Sequence, residues 1–97
     1  MAWIGVDFDG TLAKEYTLEP VIPMIRRIRE WLADGIEVRI VTARATHKES
    51  IDQVKEWLKA HGLPNLEVTN KKDYQMVLLY DDRAKQVITD TGEVVGE

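Results

Sequence analysis

Three short apolar runs in this chain each end in an oxygen-bearing side chain: Trp3-Ile4-Gly5-Val6-Asp7, Val38-Arg39-Ile40-Val41-Thr42 and Val77-Leu78-Leu79-Tyr80-Asp81. Between the first two, Val21, Ile25, Ile28 and Leu32 recur at helical spacing and are stopped by Gly35, a residue that accepts the left-handed position at a helix end. Ile51, Val54 and Leu58 form a second apolar stripe, ended by Gly62-Leu63-Pro64. Strand, helix, strand, helix, strand is the pattern of an α/β domain, expected here as a single doubly wound, Rossmann-like parallel sheet flanked by helices. Ligands bind in such sheets at the carboxyl ends of the strands, so Asp7, Thr42 and Asp81 are expected at one edge.

Size and composition narrow the alternatives. A chain of 97 residues has room for one domain, taken as residues 1–97. No cysteine is present, which excludes thiolate catalysis, zinc–thiolate sites and disulfides. The net charge of −4 leaves no basic footprint for a nucleic-acid duplex. The longest apolar stretch, Met76 to Tyr80, is far too short to span a bilayer, and the amino terminus has no basic segment ahead of its apolar residues. A cytoplasmic protein without membrane contact is the expectation.

Further elements follow from local pattern. Thr46-His47-Lys48-Glu49 fits a capping box that would open the second helix. Leu66 to Thr69 is a short strand candidate, and Gln86 to Ile88 another, turned back by Thr91-Gly92. The unbroken run Met76 to Tyr80 reads as a central strand covered on both faces. Trp3, Trp31 and Trp57 are expected in the core or at its boundary.

The chemistry resides in two acidic clusters. Asp7 and Asp9 flank Phe8 and precede Gly10-Thr11, where glycine permits a sharp turn and threonine offers a hydroxyl or an amide. Two carboxylates that close repel unless a cation lies between them or one holds a proton. Asp81-Asp82 ends a buried strand, a costly place for two acids unless they are paired or metal-bound. Magnesium prefers such oxygen ligands. Thr42 and a lysine of the Lys71-Lys72 pair supply a hydroxyl and an ammonium for a phosphoryl group, and Arg44 and His47 lie within reach of a substrate.

In this order, Asp7-Phe8-Asp9-Gly10-Thr11, Thr42 closing a hydrophobic strand, Lys72 and Asp81-Asp82 resemble the four motifs of the haloacid dehalogenase superfamily of phosphotransferases, across residues 2 to 83. The resemblance implies that Asp7 is a nucleophile forming an aspartyl phosphate and Asp9 the general acid and base. It further implies that Thr42 and Lys72 bind the phosphoryl group, and that Mg2+ is held by Asp7, Asp9 through its carbonyl, and Asp81, with Asp82 assisting. Gly10, Thr11, Arg44 and His47 would contact substrate. Larger members carry a cap domain after the first motif or between the second and third, and neither interval here is long enough. A capless site is open, which suits a bulky phosphorylated partner such as a nucleic-acid end, a phosphoprotein or a glycan phosphate, unless the second subunit of a homo-oligomer serves as cap. The alternative is a non-catalytic or phosphoacceptor module that keeps the metal and phosphate site. A receiver domain is disfavoured, because its adjacent acids come on the first strand and here they come last.

Overall fold

A computed structural model covers residues 1–97. Strands β1 (Trp3–Val6), β2 (Glu37–Val41), β3 (Glu67–Thr69) and β4 (Met76–Tyr80) form one sheet in the order β3-β2-β1-β4. All three pairings are parallel. Helix α1 (Ile22–Ala33) joins β1 to β2, and α2 (Lys48–Ala60) joins β2 to β3. No helix is long and apolar enough to cross a membrane.

The period of two along each strand sorts the side chains into two faces. Ile4, Val6, Val38, Ile40 and Val68 point to one face, where they form a single core with Ile25 and Ile28 of α1 and Val54 and Leu58 of α2. Val21 caps α1 without a side-chain hydrogen bond and Pro23 occupies its first turn, while Gly35 at φ 78° ends it as expected. Trp31 and Trp57 pack against the edge of this core and Trp3 is fully buried.

Both helices therefore cover the same face, and the flanking expected on the second face is not present. After β3 the chain must travel from the carboxyl edge of one outer strand to the amino edge of the other, and residues 70–75 do so without a helix. This segment is pinned by Asp73, which accepts a hydrogen bond from Trp3 Nε1 at 2.9 Å and lies 3.5 Å from Arg39. The Arg39 guanidinium sits 4.4 Å from the Trp3 ring and completes the seal over it, a cation–π contact.

Three local expectations are corrected. Met76–Tyr80 is an edge strand, not a central one, and Val77 and Leu78 are more than half exposed. An apolar run has the same appearance in either place, because position in the sheet is decided by which strands follow. The capping box does not form. Residues Ala43–Thr46 make a tight 3-10 turn in which the Thr46 hydroxyl donates to the Ala43 carbonyl at 2.7 Å, leaving His47 to cap α2 without a side-chain bond. Gln86 to Ile88 likewise forms no strand of the sheet; Val87 makes a single antiparallel bridge to Val94 across the Thr91-Gly92 turn.

Candidate active site

The sheet ladder runs one residue beyond β1 and β2 and fixes the site's frame. Asp7 N–H donates to the Tyr80 carbonyl at 2.8 Å, and Thr42 N–H to the Thr69 carbonyl at 2.8 Å. Because β1 lies between β2 and β4, Asp7 is set between Thr42 and Asp81. One hollow at this edge is lined by Asp7, Asp9, Thr42, Arg44, Asp81 and Arg83 among others. The chain then turns sharply: the Phe8 carbonyl accepts from the amides of Thr11, Leu12 and Ala13.

That turn separates the two aspartates of the first motif. Carboxylate oxygens of Asp7, Asp81 and Asp82 lie within 4.8 Å of one another. The Thr11 hydroxyl is placed among them, 3.2 Å from Asp82 Oδ1 and 3.5 Å from Asp7 Oδ2, and its oxygen accepts the Asp82 N–H at 3.0 Å. Burial, a hydrogen bond with Asp82 and the nearby charge of Asp81 push the Asp7 carboxyl up to about 7. A raised carboxyl keeps its proton to higher pH, which lessens the repulsion among three crowded acids. Three carboxylates with no nitrogen or sulfur partner are a hard-oxygen donor set, the kind that fits magnesium or calcium.

Asp9 lines the same hollow but stands outside the triad. Arg44 grips it with two bonds, Nε to Oδ2 at 2.7 Å and Nη2 to Oδ1 at 2.8 Å. This guanidinium fork holds the Asp9 carboxyl below the ordinary carboxylate range despite partial burial. Thr42 is buried, and its Oγ1 accepts the Arg44 N–H at 3.1 Å, so the hydroxyl proton is left for an acceptor in the hollow.

Gly10 contributes space, not contact. Its φ is 84°, and a Cβ there would lie 2.5 Å from an Asp82 carboxylate oxygen. Gly10→Ala is expected to cost ~1–2 kcal/mol for the left-handed conformation alone and to drive Asp82 from the cluster. Thermal melting and divalent-cation titration check both effects; a Gly10→Ala protein as stable as wild type with unaltered cation affinity would contradict this packing.

The structure brings Asp7, Asp9, Thr11, Thr42, Arg44, Asp81 and Asp82 together at one edge. Lys72 and His47 are exposed and line neither acidic hollow. Lys72 belongs to the segment that joins β3 to β4. Arg83 and Asn70 line these hollows with polar side chains that the sequence does not mark as substrate contacts. Arg83 N–H donates to Asp81 Oδ1 at 2.8 Å, a turn that the Asp81-Asp82-Arg83 tripeptide already hints at. The fork between Arg44 and Asp9, 35 residues apart, has no local signal. No protein-family model, curated protein or solved structure matches this chain.

Proposed function

We propose that this protein is a phosphomonoester hydrolase of haloacid dehalogenase type, dependent on Mg2+, with Asp7 as nucleophile. The observation that carries the reading is the division of labour between two aspartates two residues apart: one joins an acidic triad at adjacent strand ends, the other is held by an arginine. Asp7 and Asp81, each directly after a strand, with Asp82 would hold the cation, and the Asp9 carbonyl is the fourth ligand that the family resemblance implies. Magnesium bound there would supply the positive charge that favours the ionised Asp7 carboxylate and offsets the charge of an incoming phosphate.

The remaining chemistry belongs to the chain. An Asp7 oxygen attacks phosphorus, the bond to the ester oxygen breaks, and Asp9 gives that oxygen its proton. Water then attacks the aspartyl phosphate, loses its proton to Asp9, and releases inorganic phosphate as the bond to Asp7 breaks. Thr42 donates its hydroxyl to a phosphoryl oxygen. Arg44 binds the phosphate as well, and to do so it loosens its hold on Asp9. Substrate binding thereby relieves the pairing that keeps Asp9 ionised, so the acid is readied by the arrival of the group it must protonate. Lys72 is the lysine that the family resemblance assigns to the phosphoryl group. The location is taken as cytoplasmic.

Hydrolysis of a generic aryl phosphate with magnesium tests the reading. Excess chelator is expected to abolish phosphate release and calcium to substitute poorly, since its looser coordination disturbs alignment of the nucleophile. Undiminished turnover in chelator would overturn the metal assignment. Arg44→Ala is expected to raise KM more than it lowers kcat. It also frees Asp9 from the guanidinium, so the alkaline limb of the kcat/KM profile, set by loss of the Asp9 proton, should move to higher pH. An unshifted limb would show that Arg44 does not govern Asp9.

A further inference from the structure

A second hollow, about 400 Å³ in volume, adjoins the acidic one, and Arg44 is the residue the two share. Its walls are Phe8, Leu18, Trp57 and Ala60, with Gln53 on the exposed face of α2 at the rim. The Phe8 and Trp57 rings meet edge to face at 5.1 Å. The wall formed by the loop after β1 is fixed in place. Leu18 is held at φ 59° with its amide bonded to the Lys14 carbonyl, and Trp57 Nε1 donates to the Leu18 carbonyl at 2.8 Å. Phe8 is 1% exposed and forms the buried floor, so the surface open to a ligand is that of Leu18, Trp57 and Ala60, bounded by fixed backbone before any ligand arrives.

We propose that this hollow receives the base of a nucleotide whose phosphate is cleaved at Asp7, an inference that rests on the phosphatase reading above. The position selects a group separated from phosphorus by a spacer. Arg44 stands between the hollows, its guanidinium carbon 5.7 Å from the Phe8 ring while its Nε is 2.7 Å from Asp9. With Arg44 between the two hollows, a ring carried on a sugar has a spacer to bridge from one to the other, which a ring joined directly to the ester oxygen lacks. The chemistry selects a planar heterocycle, with aromatic and aliphatic walls for its faces and the Gln53 amide and Glu56 carboxylate for its polar edge. A cavity this size sits at the small end of ligand sites and takes one ring system, not a peptide or glycan chain. The nucleotide is either free or the phosphorylated end of a strand, and the same hollow serves both.

The test compares kcat/KM for 5′- and 3′-nucleoside monophosphates, ribose 5-phosphate and an aryl phosphate. The better nucleotide is expected to exceed ribose 5-phosphate by about tenfold or more, a modest yield for burying a ring. Ala60→Phe, which fills the hollow from an exposed helix position, should bring that ratio to near one; Gln53→Phe fills it from two turns earlier on the same helix should the first variant fold poorly. Hydrolysis of all substrates without a nucleotide advantage overturns the inference and leaves the phosphatase reading standing. Should none be hydrolysed, the phosphatase reading fails, and the hollow is judged by binding. A shift of the Trp57 indole N–H signal by nucleoside monophosphate, absent with ribose 5-phosphate and absent in Ala60→Phe, supports it; no shift overturns it. A terminally phosphorylated oligonucleotide used better than the mononucleotide assigns the strand end, and equal use assigns the free nucleotide.

Discussion

Asp7→Asn is expected to remove phosphomonoester hydrolysis, by on the order of 10⁴-fold or more, while the protein stays folded. The amide has the carboxylate's shape but not its nucleophilicity, and the ladder bond that positions residue 7 comes from its backbone N–H. Asp9→Asn should lose about 10²-fold or more, the usual range for general acid and base assistance. Rates of phosphate release from purified, folded variants check both. Asp7→Asn at the wild-type rate would exclude covalent catalysis at that residue.

The second large effect concerns stability without metal. Asp7 has an ordinary value of 3.8 when unfolded and about 7 when folded, because burial and its acidic neighbours oppose its charge. A group raised on folding stabilises the native state fully below its unfolded value, and that contribution is lost as pH climbs through the folded value. Metal-free wild type should therefore weaken between pH 4 and pH 7 and level off above. Asp7→Asn carries no such proton and should melt higher than wild type at pH 8, by ~1–2 kcal/mol once solvent screening of a half-exposed group is allowed for, and match it near pH 4. Asp9, depressed by Arg44, acts in the opposite sense and at lower pH: its contribution is present above 3.8 and disappears as pH falls through its folded value. The two windows do not overlap. Saturating magnesium should reverse the order at pH 8, since a bound cation stabilises only the chain with the intact triad. Melting curves of both proteins at pH 4 and 8, with magnesium and chelator, read the whole pattern; a metal-free Asp7→Asn protein that melts below wild type at pH 8 would contradict the crowding of these carboxylates.

Much of this arrangement was legible in the chain because it depends on local pattern. Each strand end is marked by an apolar run meeting a polar side chain, and once the strands are parallel, Asp7, Thr42 and Asp81 must share an edge. The stripes Ile25-Ile28 and Val54-Leu58 likewise declare which helix faces are buried. The rest is decided by long-range geometry. Met76–Tyr80 became an edge strand because no further strand pairs beyond it, which five apolar residues cannot announce. Thr46 matches a capping box, but Thr42 had already started a tight turn that claimed it. Lys72 has the right order in the sequence, but it lies in the irregular crossing from β3 to β4 and lines neither acidic hollow. The Arg44–Asp9 fork and the hollow beyond it join the loop after β1 to the turn after β2 and to α2, and only the folded sheet brings them together.

Catalysis through Asp7 requires a covalent bond to that residue, and trapping it is the most direct measurement. Wild-type protein mixed with magnesium and phosphomonoester, quenched within one turnover and reduced with borohydride, converts an aspartyl phosphate to homoserine, which peptide mass spectrometry locates. The expected product is homoserine at position 7, dependent on both magnesium and substrate and absent at Asp9, Asp81 and Asp82. Active turnover with Asp7 unmodified, or with homoserine at another aspartate, would contradict the assignment of the nucleophile.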